Sequence, residues 1–205
     1  MSKAENLTEH PSALELPSPR ISEIVLRTTN FERMKDWYQA VLSAKPSFEY
    51  ELPEQRPESK TTKVENFKRL CFLRVFSEFP YTQVLALFDV PGLAVSEKHS
   101  GLHHMQFREA SLERLVTRYE VLLATGIKPY QSFNHGPSTS FYYEDPDGNL
   151  AELSGPNYES EAEYLNFFKT PAFARNPAGL EIDADDFVRR YRAGEDRREL
   201  VLLAE

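Results

Sequence analysis

The sequence predicts an α+β fold of two βαβββ modules forming a curled mixed sheet around a central cavity, with a C-terminal helical extension. Three observations predict it. A tight-turn signal, Asp145-Pro146-Asp147-Gly148-Asn149, lies between two β-prone apolar runs. An early strand-helix pattern recurs later in the chain, and the composition changes after Pro156. The recurrence is explicit: adding 81 to the numbering takes Glu23 to His104, Leu26 to Phe107, Phe31 to Leu112, Met34 to Leu115, Tyr38 to Tyr119 and Val41 to Leu122. Strand and helix are in register in both halves, and neither half could bury both faces of its sheet alone.

Residues 1–20 hold three prolines and no periodicity and read as a mobile N-terminal arm. Ile21 to Thr28 alternates as a strand, with Ile24 and Leu26 on one face and Glu23, Val25 and Arg27 on the other. Asn30 offers an N-cap. Phe31, Met34, Trp37, Tyr38, Val41 and Leu42 then form the apolar stripe of a helix packed on a sheet. Phe48 to Leu52, Leu70 to Phe76 and Gln83 to Asp89 complete the first module, 21–92. Ala86 in its last strand corresponds to Glu152, an offset of 66 instead of 81, and the missing 15 residues match the charged stretch Pro53 to Phe67, an inserted loop. The second module, 101–158, opens on Gly101-Leu102-His103-His104-Met105-Gln106-Phe107. It continues through a helix and the strand Lys128 to Phe133, and closes on Phe141–Tyr143 and Leu150–Leu153 around the turn. In the extension, 159–205, Ser160 to Lys169 reads as a helix ended by Pro171, Asp183 to Ala193 as another, and Leu200 to Leu203 as an apolar end. It would pack as a lid over the cavity or on a second subunit.

The 205 residues carry a net charge of -8, which argues against nucleic acid or an anionic membrane as partner. No long apolar run or signal-peptide core is present, so the expected setting is cytoplasmic. The single cysteine, Cys71, sits between apolar neighbours and reads as a small buried hydrophobe.

Glu152 stands out chemically because it interrupts a core-like strand, sharing a face with Leu150 and Ser154. A buried carboxylate needs a partner, since an unpaired one costs several kcal/mol. Either a cationic side chain such as Arg27 or Arg108 pairs with it, or a metal ion does. The second choice needs more ligands, and His104, on one strand face with Leu102 and Gln106, is the obvious one. His103 would face the other way, against a helix or a loop. Pairing the modules would carry Glu23 toward His104 and Glu152.

Leu102-His103-His104-Met105-Gln106-Phe107 opening one module, and Asp145-Pro146-Asp147-Gly148-Asn149-Leu150-Ala151-Glu152-Leu153 closing it, resemble the vicinal oxygen chelate superfamily. That superfamily spans glyoxalase and bleomycin-resistance proteins, fosfomycin-resistance proteins, methylmalonyl-CoA epimerase and extradiol dioxygenases. The resemblance covers roughly residues 21–158 and is greatest to the extradiol dioxygenases. Those enzymes place a metal-binding Glu ten residues after a tyrosine, as Glu152 follows Tyr142, and a histidine shortly before the tyrosine, as His135 stands here. The resemblance implies a divalent metal, Fe(II) first and Mn(II) or Mg(II) otherwise, held by Glu23, His104 and Glu152. His135 and Tyr142 would then line the pocket of a small aromatic or enolic diol. A homodimer is common in the superfamily.

Two departures from that pattern matter. Position 23 is Glu where the extradiol pattern has a histidine, and a Glu2His set is harder and more anionic. The family's acid-base histidine has no counterpart, because His10 lies in the arm, His99 in the polar linker Ser96–Gly101, and His103 faces away from His104. Three classes therefore stay open: a non-heme metal dioxygenase; an isomerase, epimerase or lyase moving a proton with Glu23 and Glu152; and a non-catalytic small-molecule binder. Each residue also has a plainer reading. His104 would be a hydrogen-bonded strand histidine, Glu23 a partner of Arg27, His135 a loop brace and Tyr142 core.

Overall fold

A computed structural model of the chain describes residues 20–51, 67–78, 81–93, 102–176 and 178–201. His10, most of the arm and inserted loop, the linker with His99, and residues 202–205 lie outside the described residues.

The first module runs β1 (Glu23–Thr28), α1 (Phe31–Leu42), β2 (Pro46–Glu51), β3 (Arg69–Glu78) and β4 (Tyr81–Asp89). Its sheet has the order β1-β4-β3-β2, with β1 parallel to β4 and the other pairs antiparallel. The apolar stripe of α1 is borne out: Phe31, Met34, Tyr38 and Val41 are its buried residues. Asn30 occupies the N-cap position but makes no side-chain cap bond. Its backbone N–H donates to Thr28 Oγ1 at 2.8 Å, and its side-chain amide reaches across to Asp147.

The second module runs β5 (Met105–Arg108), α2 (Leu112–Ala124), β6 (Gln131–Asn134), β7 (Ser138–Glu144) and β8 (Leu150–Pro156). β5 lies parallel to β8, and the register repeats that of the first module: Val25 faces Ala86 there, and Gln106 faces Glu152 here. The buried positions of α2, Leu112, Leu115, Tyr119 and Leu122, stand where the repeat puts the counterparts of Phe31, Met34, Tyr38 and Val41. Ser111 caps α2 by accepting from the Arg114 N–H.

The two sheets do not close on each other. Helix and core residues join the modules instead: Met105 of β5 is buried in the first module's core, and Val41 of α1 in the second's. Trp37, Leu42 and Phe107 pack against both cores.

The extension is more elaborate than the sequence suggests. It contains α3 (Glu161–Phe167), α4 (Pro171–Arg175), β9 (Leu180–Glu181), α5 (Ala184–Arg192) and α6 (Arg197–Leu200). Pro171 starts a helix at its first turn, where its missing N–H costs nothing. β9 extends the second sheet to the order β5-β8-β7-β6-β9. Phe187, Val188, Leu200 and Val201 join the core under α2, so α5 and α6 pack on the helix side of that sheet. No helix of the described residues is long and apolar enough to cross a membrane.

One buried carboxylate ties the halves together. Asp145 Oδ1 accepts from the Asp147 N–H at 2.9 Å and the Asn149 N–H at 2.8 Å, which shapes the β7–β8 turn. Its Oδ2 accepts from Asn149 Nδ2 at 2.9 Å and from the hydroxyl of Tyr38, on α1, at 2.8 Å. Burial pushes the Asp145 carboxyl above its usual value despite these donors. Tyr38→Phe would leave a buried acceptor short of a donor, so we expect it to lose about 1–3 kcal/mol of stability. Chemical denaturation followed by the fluorescence of Trp37, whose ring packs edge-on to Tyr38, measures this. A loss well below that range would show that Asp145 does not depend on the first module.

Candidate functional site

The site lies on the face of the second sheet turned away from α2. Along β8, Ala151, Leu153 and Gly155 face the helix, with an ideal Cβ on Gly155 only 3.1 Å from Leu115. Alternation therefore turns Leu150, Glu152 and Ser154 to the other face. Tyr142 of β7 stands directly opposite Glu152, and Gln106 of β5 opposite it on the other side.

Glu152 is 2% exposed. Its Oε1 accepts from Gln106 Nε2 at 2.6 Å and Ser140 Oγ at 2.7 Å. Its Oε2 faces His104 Nε2 at 2.9 Å. Neither Arg27 nor Arg108 is its ion-pair partner; an imidazole, an amide and a hydroxyl compensate the carboxylate. One oxygen is thus held by the scaffold and the other is turned toward a histidine.

His104 sits one residue ahead of β5 and stays partly exposed, its side chain at 33%. The expectation that His103 faces away from it is wrong: their Nδ1 atoms lie 2.7 Å apart. Because β5 begins only at Met105, strand alternation does not yet govern the two histidines. One of the two Nδ1 atoms must carry the shared hydrogen. With His104 Nε2–H donating to Glu152 Oε2, the Nδ1 of a neutral His104 ring accepts the shared hydrogen from His103.

On the far side of Tyr142 stands His135. Its Nε2 is 3.1 Å from the Tyr142 hydroxyl and its Nδ1 is 2.7 Å from the carbonyl oxygen of Ala178. The Phe133 ring stacks on it with centroids 5.5 Å apart and planes 13° from parallel. The Tyr142 ring also meets His104 edge-on at 5.8 Å. Burial first, then the neighbouring Glu152 carboxylate, pushes the Tyr142 phenol well above its ordinary value, so it stays a donor at neutral pH.

The structure thus brings His104, Glu152, Tyr142 and His135 into one contiguous array and does not bring Glu23 to it. Glu23 lies on the exposed face of β1, a strand in the other sheet. No three His, Cys, Asp or Glu side chains are grouped to hold a metal ion among the described residues. Sequence reasoning missed His103, Gln106, Ser140 and Ala178. Gln106 was within reach, since alternation from His104 puts it on the same face. Ser140 needed the β7–β8 register, and Ala178 comes from outside the repeat.

Two cavities open among the described residues, and only the second reaches the array. One of about 550 Å³ is lined by Arg108, Ser111, Pro156, Tyr158, Tyr164 and Arg197. Another of about 630 Å³ includes Val75, Gln83, Gln106, Phe107 and Arg118 in its lining. Gln106, which holds Glu152, connects the second to the array. Cys71 takes no part: it is buried, and burial pushes its thiol up to about 11.

Comparison with known proteins agrees with this architecture. A family model described as the Glyoxalase/Bleomycin resistance protein/Dioxygenase superfamily matches residues 20–153. The chain is 32% identical over 169 residues to biphenyl-2,3-diol 1,2-dioxygenase 2 of Rhodococcus globerulus, covering 81% of this chain and 78% of that protein. It is 30% identical over 190 residues to biphenyl-2,3-diol 1,2-dioxygenase 3 of the same organism, covering 91% and 90%. A solved structure of a mutant fosfomycin resistance protein FosX from Listeria monocytogenes, complexed with Mn(II) and a dihydroxypropylphosphonic acid, covers 73% of this chain and 99% of its own. Its TM-score is 0.50 at 16% identity, a likeness of fold alone. Doubled modules, matching register and a family match over most of the chain lead to one conclusion: this protein belongs to the glyoxalase/bleomycin resistance protein/dioxygenase superfamily.

Proposed function

We propose that the protein is an extradiol-type non-heme metal dioxygenase acting on a small aromatic or enolic diol. The observation that carries this reading is the orientation of Glu152. Gln106 and Ser140 occupy one oxygen and leave the other facing His104 Nε2. Outer hydrogen bonds that aim a carboxylate and an imidazole at one point are the usual preparation of a metal centre. The donor chemistry fits a divalent ion of intermediate hardness, with Fe(II) first and Mn(II) or Mg(II) as alternatives. His104 and Glu152 would hold it. Glu23 remains the third ligand in this reading, which requires the exposed face of β1 to approach β5. The two Rhodococcus relatives, named as diol dioxygenases, support the reaction class.

An iron held there supplies the redox chemistry with O2 that ring cleavage of a diol requires. The chain's own residues do the rest. Tyr142, kept protonated, presents its hydroxyl oxygen to accept a hydrogen bond from a diol O–H. His135, stacked on Phe133, orients that hydroxyl. The partner in this reading is a small molecule, with a second copy of the chain as the other expected contact.

A second reading, a superfamily isomerase, epimerase or lyase that moves a proton with Glu23 and Glu152, is supported by the buried, scaffold-held Glu152 carboxylate and also requires Glu23 to approach it.

Elemental analysis of protein purified without chelators separates the two. The dioxygenase reading expects near-stoichiometric iron or manganese, its loss in His104→Ala and Glu152→Ala, and O2 uptake with catechols. A folded native chain that is metal-free and cannot be reloaded would sink it. Gln106→Ala and Ser140→Ala address the orientation argument: each should weaken metal affinity by about 10–100-fold with the fold intact. Unchanged affinity in both would mean that these donors merely neutralise a buried charge.

A further inference from the structure

The C-terminal extension, which lies beyond the family match, meets the site at His135, and the Ala178 contact there decides a proton position. A carbonyl oxygen can only accept a hydrogen bond. Ala178 O lies 2.7 Å from His135 Nδ1, so Nδ1 must carry the hydrogen. In a neutral imidazole that leaves Nε2 as an acceptor. The Tyr142 hydroxyl, 3.1 Å away, must then donate to it.

We infer that the extension is a positioning element of the active site, with the Ala178 carbonyl holding His135 in the Nδ1–H tautomer. The consequence reaches Glu152. Tyr142 has one hydroxyl hydrogen and two acceptors beside it, His135 Nε2 and the Glu152 carboxylate. In the opposite tautomer Nε2–H would donate to the Tyr142 oxygen, sending the tyrosine's hydrogen to Glu152. The Ala178 carbonyl forbids that arrangement, because an unprotonated Nδ1 would face an oxygen lone pair. The Tyr142 hydrogen is thereby directed to His135 Nε2, while Gln106, Ser140 and His104 remain the partners of Glu152.

The contact is built in from both sides of the His135 loop. A Cβ on Gly179 would lie 2.3 Å from Asn134 O and 2.6 Å from His135 Cα, and its φ of +85° already favours glycine. Asn176 clamps this turn, donating from Nδ2 to Gly179 O at 2.7 Å and accepting from the Gly179 N–H at 3.1 Å. β9, directly after it, pairs Leu180 with Asn134 and Glu181 with Phe133. On the other side, the Phe167 ring of α3 occupies the space where Gly136 has no side chain, 2.0 Å from an ideal Cβ.

This inference deepens the reading of His135 and Tyr142 as pocket residues, and its test needs no turnover. Long-range 1H–15N correlation spectra of the full 15N-labelled chain, with zinc in place of any paramagnetic ion and at a pH where the ring is neutral, report which ring nitrogen is unprotonated. For His135 we expect Nε2, correlated strongly with both ring protons. Finding Nδ1 unprotonated overturns the inference. Gly179→Ala should convert the signal to a mixed or reversed tautomer, and Asn176→Ala should move it in the same direction with less perturbation of the backbone. Gly194→Ala is the control, because it imposes a similar backbone strain at φ +79° with nothing within 4 Å, and should leave His135 unchanged. An unaltered His135 in both Gly179→Ala and Asn176→Ala would also overturn the assignment to Ala178. A chain with no metal and no O2 uptake but with the Nδ1–H ring would fail the proposed function and leave this inference standing.

Discussion

The structure depends on a carboxylate that performs no chemistry. Asp145 is buried at the start of the β7–β8 turn and accepts from two backbone amides, one side-chain amide and one phenol. The backbone bonds fix the turn, and the turn fixes the antiparallel register of β7 against β8. That register sets Tyr142 opposite Glu152 and places Ser140 close enough to bind it. A slip of one residue would turn Glu152 into the apolar core under α2. The phenol belongs to Tyr38 of the other module, so the bonds that shape the site also dock the first helix. A buried carboxylate with fewer donors would be costly, which makes the arrangement close to all-or-none.

The same principle governs Glu152 with a different outcome. Both carboxylates are buried on the second sheet, but Asp145 has both oxygens bound by uncharged donors fixed in the scaffold. Glu152 has only one oxygen so held. The other faces an imidazole that is a third exposed and linked to a second imidazole. An interaction that can exchange its partner without unfolding the chain is the property expected of a working site and not of a structural one.

The extension changes the character of the second module. β9 lengthens its sheet, α5 and α6 thicken its core, and the Asn176–Gly179 turn sets the hydrogen bonding of His135. The first module gains none of this, and its exposed face carries Val25, Phe48, Tyr50 and Phe76, each around 40–50% exposed. The duplicated architecture is therefore asymmetric in use. Ala86 stands where Glu152 has its counterpart, and the polar array belongs to the second half alone.

The sequence by itself determined the two modules, their matching helix stripes, the β7–β8 turn and the common face of Gln106 and Glu152. These follow from periodicity and turn chemistry, which act over a few residues and leave a local imprint. It also named His104, Glu152, His135 and Tyr142 individually. Only the tertiary structure decided what they touch. Ser140 needed a strand register, Tyr38 a contact 107 positions away in the chain, and Ala178 a backbone carbonyl that no residue type announces. That Glu23 stands outside the His104–Glu152 array likewise follows from β1 and β5 lying in different sheets, joined through Trp37, Leu42 and Phe107 packed against both cores. Packing of that kind is nearly indifferent to which apolar residues supply it, so it leaves no pattern along the chain from which the distance between two polar groups could be read.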